Sequence, residues 1–200
     1  NGGNDILQVN GKEGAFDTFD GGLGIDTLQF IGTQKITLAG FDATASSIEI
    51  LQGNGEELAG TSGADSFDFS GLTALSGLPF VEGKGGDDTM IGSAFADDLR
   101  GGAGNDRLDG RGGSDFLSGS GGSDTFVFAD GYGADSVLDY KAGEDIFDFT
   151  GVATVHAFGD LFLTQIDPKT VLIDFGLSRH DQLPDLMEEE FRLPYGTAPY

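Results

Sequence analysis

Five aspartates, Asp88, Asp97, Asp106, Asp115 and Asp124, stand nine residues apart, four intervals running. No other feature constrains the fold of this 200-residue chain so tightly. The units read GKGGDDTMI from Gly83, GSAFADDLR from Gly92, GGAGNDRLD from Gly101, GRGGSDFLS from Gly110 and GSGGSDTFV from Gly119. Each opens with glycine, carries Asp at position six and places Met90, Leu99, Leu108, Leu117 or Phe126 at position eight. Position four is Gly86, Gly104, Gly113 and Gly122, with Phe95 in the remaining unit. Six glycine-rich residues turn tightly because glycine accepts φ > 0. The next three form a short strand whose middle residue points one way. Two units make an 18-residue coil, and stacked coils give two parallel sheets with the position-eight side chains between them.

That geometry stacks the turns in two columns. Asp88, Asp106 and Asp124 fall in one, and Asp97, Asp115 and Asp135 in the other. Strands stack about 4.8 Å apart, a spacing at which carboxylates repel by about 1 kcal/mol in water and about 4 kcal/mol at an effective dielectric of 20. A hard cation between successive turns reverses the sign. Carboxylates with turn carbonyls form the oxygen set that Ca²⁺ accepts at about six to eight ligands, whereas Mg²⁺ demands a tighter octahedron.

Composition sharpens the need for a cation. Glycine numbers 35, and 34 acidic against 10 basic residues give a net charge of −24. Average usage would give about 14 glycines. Ordering half of the excess costs about 5–10 kcal/mol, and self-repulsion adds to it. Four ions at a hundredfold excess over Kd would return about 11 kcal/mol. Of the acids 25 are Asp and 9 Glu, and Asp and Gly favour turns over helices. Nucleic acid is excluded as a partner by charge, and anionic membrane surfaces are disfavoured likewise. No run of about 18 apolar residues would insert in a bilayer. There is no cysteine, hence no disulfide or thiolate chemistry.

The tandem nonapeptides resemble the RTX (repeats-in-toxin) calcium-binding family, most clearly from Gly83 to Phe128. GGLGIDTLQ from Gly21 matches fully with Asp26, GTSGADSFD from Gly60 nearly so with Asp65, and GNDIL from Gly3 is similar to a repeat's tail. DGYGADSVL from Asp130 keeps Gly131, Gly133 and Asp135 after a two-residue slip. The resemblance implies ions held between same-side turns by both Asp side chains and by backbone carbonyls. It assigns ligands to the carboxylates of Asp26, Asp88, Asp97, Asp106, Asp115, Asp124 and Asp135. The accompanying turn positions are Gly83, Gly85, Gly101, Gly102, Ala103, Gly104, Gly110, Gly112, Gly119, Gly121, Gly131 and Gly133. The pairs are Asp106 with Asp124, Asp88 with Asp106, and Asp115 with Asp135, about four ions in all. In the Asp97–Asp115 pair, Phe95 stands where the turn needs glycine. Asp17 and Asp26 are again nine apart and suggest a further site, while Glu49, Glu56 and Glu57 read as solvated.

The expected fold is all-β: a right-handed parallel β-roll, or β-solenoid, with β-rich N-terminal coils and a C-terminal capping segment. Residues 1–82 would form irregular solenoid coils, with strands at 6–9, 27–31, 35–38, 47–51, 66–69 and 79–81. Residues 83–135 would form the calcium-binding roll. Residues 136–200 would cover its open end, with strands at 136–140, 145–149, 160–165 and 170–175 and a short helix or turn at 183–191. Catalytic signatures fail: His156 and His180 form no HExxH, and no nucleophile elbow or phosphate loop occurs. No catalytic residue is assigned.

The resemblance further implies a secreted, extracellular module that stays unfolded where calcium is scarce and folds after export from a Gram-negative bacterium. A type I secretion apparatus is the implied partner, with a signal near the C-terminus. Two other roles stay open, an auxiliary module of a secreted protease, lipase or polysaccharide-modifying enzyme and a segment of a cell-surface adhesin. A chain starting at Asn1 reads as a fragment or processed product.

Overall fold

The computed structural model describes residues 2–10, 19–129, 131–152, 162–167 and 170–174. Among them there is no helix, and the chain winds as a β-solenoid of parallel strands. Its N-terminal strands are β1 (Ile6–Asn10), β2 (Thr27–Ile31), β3 (Ile36–Thr37), β4 (Gly40–Asp42), β5 (Ile50–Gln52), β6 (Leu58–Ala59), β7 (Ser66–Asp68) and β8 (Ala74–Ser76). The roll follows with β9 (Val81–Gly85), β10 (Thr89–Ile91), β11 (Asp98–Ala103), β12 (Arg107–Asp109), β13 (Phe116–Gly121) and β14 (Thr125–Ala129). The last strands are β15 (Ala134–Val137), β16 (Ile146–Gly151), β17 (Phe162–Asp167) and β18 (Thr170–Asp174).

The solenoid changes shape along its axis. The strands fall into three sheets, in the orders β1-β2-β5-β8, β4-β7-β10-β12-β14-β16 and β3-β6-β9-β11-β13-β15-β18-β17. Each N-terminal coil therefore has three sides, β2-β3-β4, then β5-β6-β7, then β8-β9-β10. The first sheet stops at β8, and the later coils, β11-β12, β13-β14 and β15-β16, have two sides, as the nonapeptide spacing requires. Two-sided stacking was expected for the repeats. The third side is a property of the longer N-terminal spacing, in which Leu28 pairs with Leu51 and Leu51 with Leu75.

In-register pairing stacks like upon like. One ladder runs Phe41, Phe67, Met90, Leu108, Phe126 and Phe147. A second runs Ile36, Leu58, Val81, Leu99, Leu117 and Val137. All five position-eight residues of the clear repeats are fully buried. Each such side chain contributes about 1.5–3 kcal/mol by burial. Aromatic pairs thicken both ends of the core, Phe41 against Phe69 at 5.6 Å and Tyr140 stacked on Phe147 at 4.2 Å.

Several strands begin or end away from the expected positions. The one expected over 47–51 starts at Ile50, because Ala43 to Ser47 form turns and Ser47 takes a left-handed φ of 51°. Strands β4, β6 and β8 were not foreseen, since two or three residues give too little alternation to read. Beyond the parallel stack, β18 pairs antiparallel with β15, and β17 with β18, so the exposed edge of β15 is covered. Asp17, Asp130, the segment 183–191 and the C-terminal signal region lie outside the described residues.

Candidate metal centre

Every position-six carboxylate of the repeats turns inward. Asp26, Asp88, Asp106, Asp115, Asp124 and Asp135 are at most 1% exposed, an extreme value for a charged side chain. One oxygen of each is used within the column. The N–H of Asp88 donates to Asp106 Oδ1 at 2.8 Å, that of Asp106 to Asp124 Oδ1 at 2.9 Å, and that of Asp124 to Asp145 Oδ1 at 3.0 Å. At the start of this column the N–H of Asp65 donates to Asp88 Oδ1. In the opposite column the N–H of Asp97 donates to Asp115 Oδ1 and that of Asp115 to Asp135 Oδ1. Both columns thus contain the expected residues in the expected order.

The other oxygen is the informative one. Oδ2 of Asp26, Asp88, Asp106, Asp115 and Asp135 is buried with no hydrogen-bond partner. An unpaired buried carboxylate oxygen costs several kcal/mol. The ion pairs among the described residues lie elsewhere, at Lys35–Glu57, Lys35–Glu82, Arg100–Asp98, Arg107–Asp148 and Lys141–Glu144. Burial, with the neighbouring carboxylates Asp106, Asp65 and Asp87 adding to it, pushes Asp88 up to about 6. Asp106 rises to about 6 through burial and the charges of Asp124 and Asp87. Burial likewise raises Asp97, Asp115, Asp124 and Asp135.

The glycines serve two separate ends. At position one the need is space. A Cβ on Gly83, Gly101, Gly110 or Gly119 would collide with Oδ2 of Asp88, Asp106, Asp115 or Asp124, the aspartate five residues on. The carbonyl oxygen of Gly101 also lies 2.6 Å from where a Gly83 Cβ would be. A free carboxylate oxygen therefore sits over a bare α-carbon close to a carbonyl of the next coil. At position four the need is conformation, as at Gly104 with φ 135°, which side chains do not tolerate. Phe95 has no positive φ, so its turn takes another path.

Among the described residues no three His, Cys, Asp or Glu side chains converge on one point. A hard cation here would draw on carboxylates from two turns and on backbone carbonyls, a set suited to Ca²⁺ and not to thiophilic metals. The orphaned Oδ2 atoms and the bare α-carbons fit such an ion. A family model, the RTX calcium-binding nonapeptide repeat (4 copies), matches residues 82–117, 91–126 and 101–133.

Residues 82–133 are RTX calcium-binding repeats. No curated protein matches the chain, and no solved structure does. Around these RTX repeats the structure adds carboxylates outside the matched segment. Asp135 closes one column, with Gly131 and Gly133 at φ 82° and 103°. Asp26 lies against Gly21 in the same way, and its column neighbours are Asp5, whose N–H donates to Asp26 Oδ1, and Glu49, whose Oε2 accepts from the Asp26 N–H at 2.8 Å. Glu49, expected to be solvated, is half-buried and takes the place of an aspartate in that column. Glu57 pairs with Lys35, and Glu56 is exposed. Asp145, also missed, ends the long column. Its spacing of 21 residues from Asp124 breaks the nine-residue period that would have revealed it.

Proposed function

We propose that this chain is a calcium-dependent structural module of an exported protein, unfolded where calcium is scarce and folded outside the cell. The observation that carries the reading is the row of buried, unpartnered Oδ2 atoms in a chain of net charge −24. Without a cation these carboxylates oppose folding; with one they staple each coil to the next. Metal binding to a site absent from the unfolded chain becomes folding free energy. Extracellular modules bind calcium at about 10⁻⁴–10⁻³ M, a range that separates the outside of a cell from its interior.

The proposed ions lie between the turns of Asp88 and Asp106, Asp106 and Asp124, and Asp115 and Asp135, with a fourth at Asp26 beside Glu49. Asp carboxylates and turn carbonyls would hold each one, the ion supplying the positive charge that the columns lack. A parent protein would gain a stiff, acidic, extracellular rod. A C-terminal signal recognised by a type I secretion apparatus would suit such a chain, and the parent's own activity would lie elsewhere.

Amide hydrogen exchange tests this reading. With about 1 mM Ca²⁺ the amides of β9 to β15 should be protected, and in chelator they should exchange at near-unfolded rates. Equal protection in both would contradict it.

A further inference from the structure

We propose that the backbone at the second residue of each turn decides which turns take calcium, and that the turns ending at Asp65, Asp97 and Asp145 take none. The inference rests on the calcium reading above and divides turns that the repeat pattern treats alike.

The position-six carboxylates fall into two classes. Oδ2 of Asp97 accepts the N–H of Ser93 at 2.7 Å and its hydroxyl at 2.9 Å. Oδ2 of Asp65 accepts the N–H of Thr61, whose hydroxyl donates to Oδ1. Oδ2 of Asp145 accepts the N–H of Lys141 at 2.7 Å. In each case the donor is four residues before the aspartate, at position two of the turn. The carboxylates of Asp26, Asp88, Asp106, Asp115 and Asp135 receive no such bond, and in the turn ending at Asp124 the position-two N–H, that of Ser120, goes to Asp139 instead.

The backbone separates the same two classes without reference to hydrogen bonds. Position two of the open turns is left-handed at Gly22 (φ 93°), Lys84 (76°), Gly102 (116°), Arg111 (63°), Ser120 (69°) and Gly131 (82°). Thr61, Ser93 and Lys141 have no positive φ. A positive φ there turns over the peptide between positions one and two, so its N–H leaves the carboxylate. Two of these N–H groups have other acceptors, Arg111 on Asp109 Oδ1 and Ser120 on Asp139 Oδ2. Three non-glycine residues hold this costly conformation, which the surrounding structure must impose.

In a closed turn Oδ2 already accepts the position-two N–H, whose dipole points toward the place an ion would take. An open turn leaves Oδ2 without that donor, and at Asp26, Asp88, Asp106 and Asp115 the unsatisfied oxygen lies beside the bare α-carbon of a glycine. The closed turns also sit at boundaries. Asp65 and Asp145 begin and end the long column, and Asp97 begins the short one where the solenoid passes from three sides to two. The stacked open pairs within 83–135 are then Asp88–Asp106, Asp106–Asp124 and Asp115–Asp135. The Asp97–Asp115 pair is not a site, and Ser93 does there what an ion does elsewhere.

Native mass spectrometry of the calcium-loaded full chain tests the division by counting ions. Asp97→Asn should keep the natural count, Asp106→Asn should lower it, and the double variant Ser93→Gly/Phe95→Gly should raise it by one. Loss of an ion from D97N, or a folded S93G/F95G chain with no added ion, would overturn the proposal. Anomalous scattering from strontium-loaded crystals of the natural chain decides the matter if the variants fail to fold. Ions beside Asp106 and Asp115 but none on the Asp97 carboxylate support the division, and an ion on Asp97 overturns it. A natural chain that binds no calcium would instead remove the calcium reading itself.

Discussion

Asp106 is tied to both neighbours in its column: its Oδ1 accepts the N–H of Asp88 at 2.8 Å, while its own N–H donates to Oδ1 of Asp124 at 2.9 Å. One residue, through its carboxylate on one side and its backbone N–H on the other, thus joins three successive coils, and its Oδ2 stays buried and unpartnered. In the proposed arrangement it borders two ions, whereas Asp97 borders none. Asp106→Ala should therefore lower calcium-dependent stability by about 5 kcal/mol, two sites at a hundredfold excess over Kd. Asp97→Ala should change that calcium-dependent part little. Denaturant unfolding of each variant in calcium and in chelator isolates the term.

Position-one and position-two residues should respond in opposite directions. Gly101→Ala pushes a methyl group into Asp106 Oδ2 and should raise the calcium midpoint several-fold. Lys84→Gly relieves a left-handed lysine at φ 76° and should stabilise the loaded fold by about 1 kcal/mol. A calcium titration reads the first, and thermal unfolding in saturating calcium the second.

Acid should help the metal-free fold. Asp88 and Asp106 are raised to about 6 when folded, above their ordinary value of 3.8, so the folded state binds more protons than the unfolded one. Their stabilising contribution is full below the unfolded value and is lost as pH rises through about 6. In chelator, β structure should be greater at pH 5.5 than at pH 7.5. In calcium, the same protons compete with the ion, and the midpoint should rise as pH falls through 6. Circular dichroism at the two pH values checks both signs.

Removal of the chain after Phe128 should weaken the roll although all five clear repeats survive. Phe126 and Phe128 would lose their contacts with Phe147 at 6.0 and 5.8 Å, and Asp115 would lose Asp135. The expected result is a higher calcium midpoint and added light scattering, from exposed aromatic rings and an unpaired strand edge. An unchanged midpoint without scattering would show that the roll closes itself.

The repeats made the roll legible because one period fixes turn, strand and core position together: Asp106 and Leu108 cannot both be placed without placing the coil. The N-terminal coils were harder to read. Their turns differ in length, and the third side is carried by strands as short as Leu58–Ala59. Glu49 was missed as a column member because one longer side chain, outside any glycine frame, reaches the place that Asp takes elsewhere. The division between open and closed turns was hidden for another reason. Arg111 and Ser93 both occupy position two, and only the backbone dihedral separates them. Phe95 was the single visible sign, since a side chain at position four forbids the usual turn.

A calcium titration of the full chain followed by far-ultraviolet circular dichroism tests the central claim most directly. The expected result is a largely disordered spectrum in chelator at pH 7.5, converted to β structure by about 1 mM Ca²⁺ and little changed by equal Mg²⁺. A β spectrum of full amplitude in chelator, unaltered by added calcium, would contradict it.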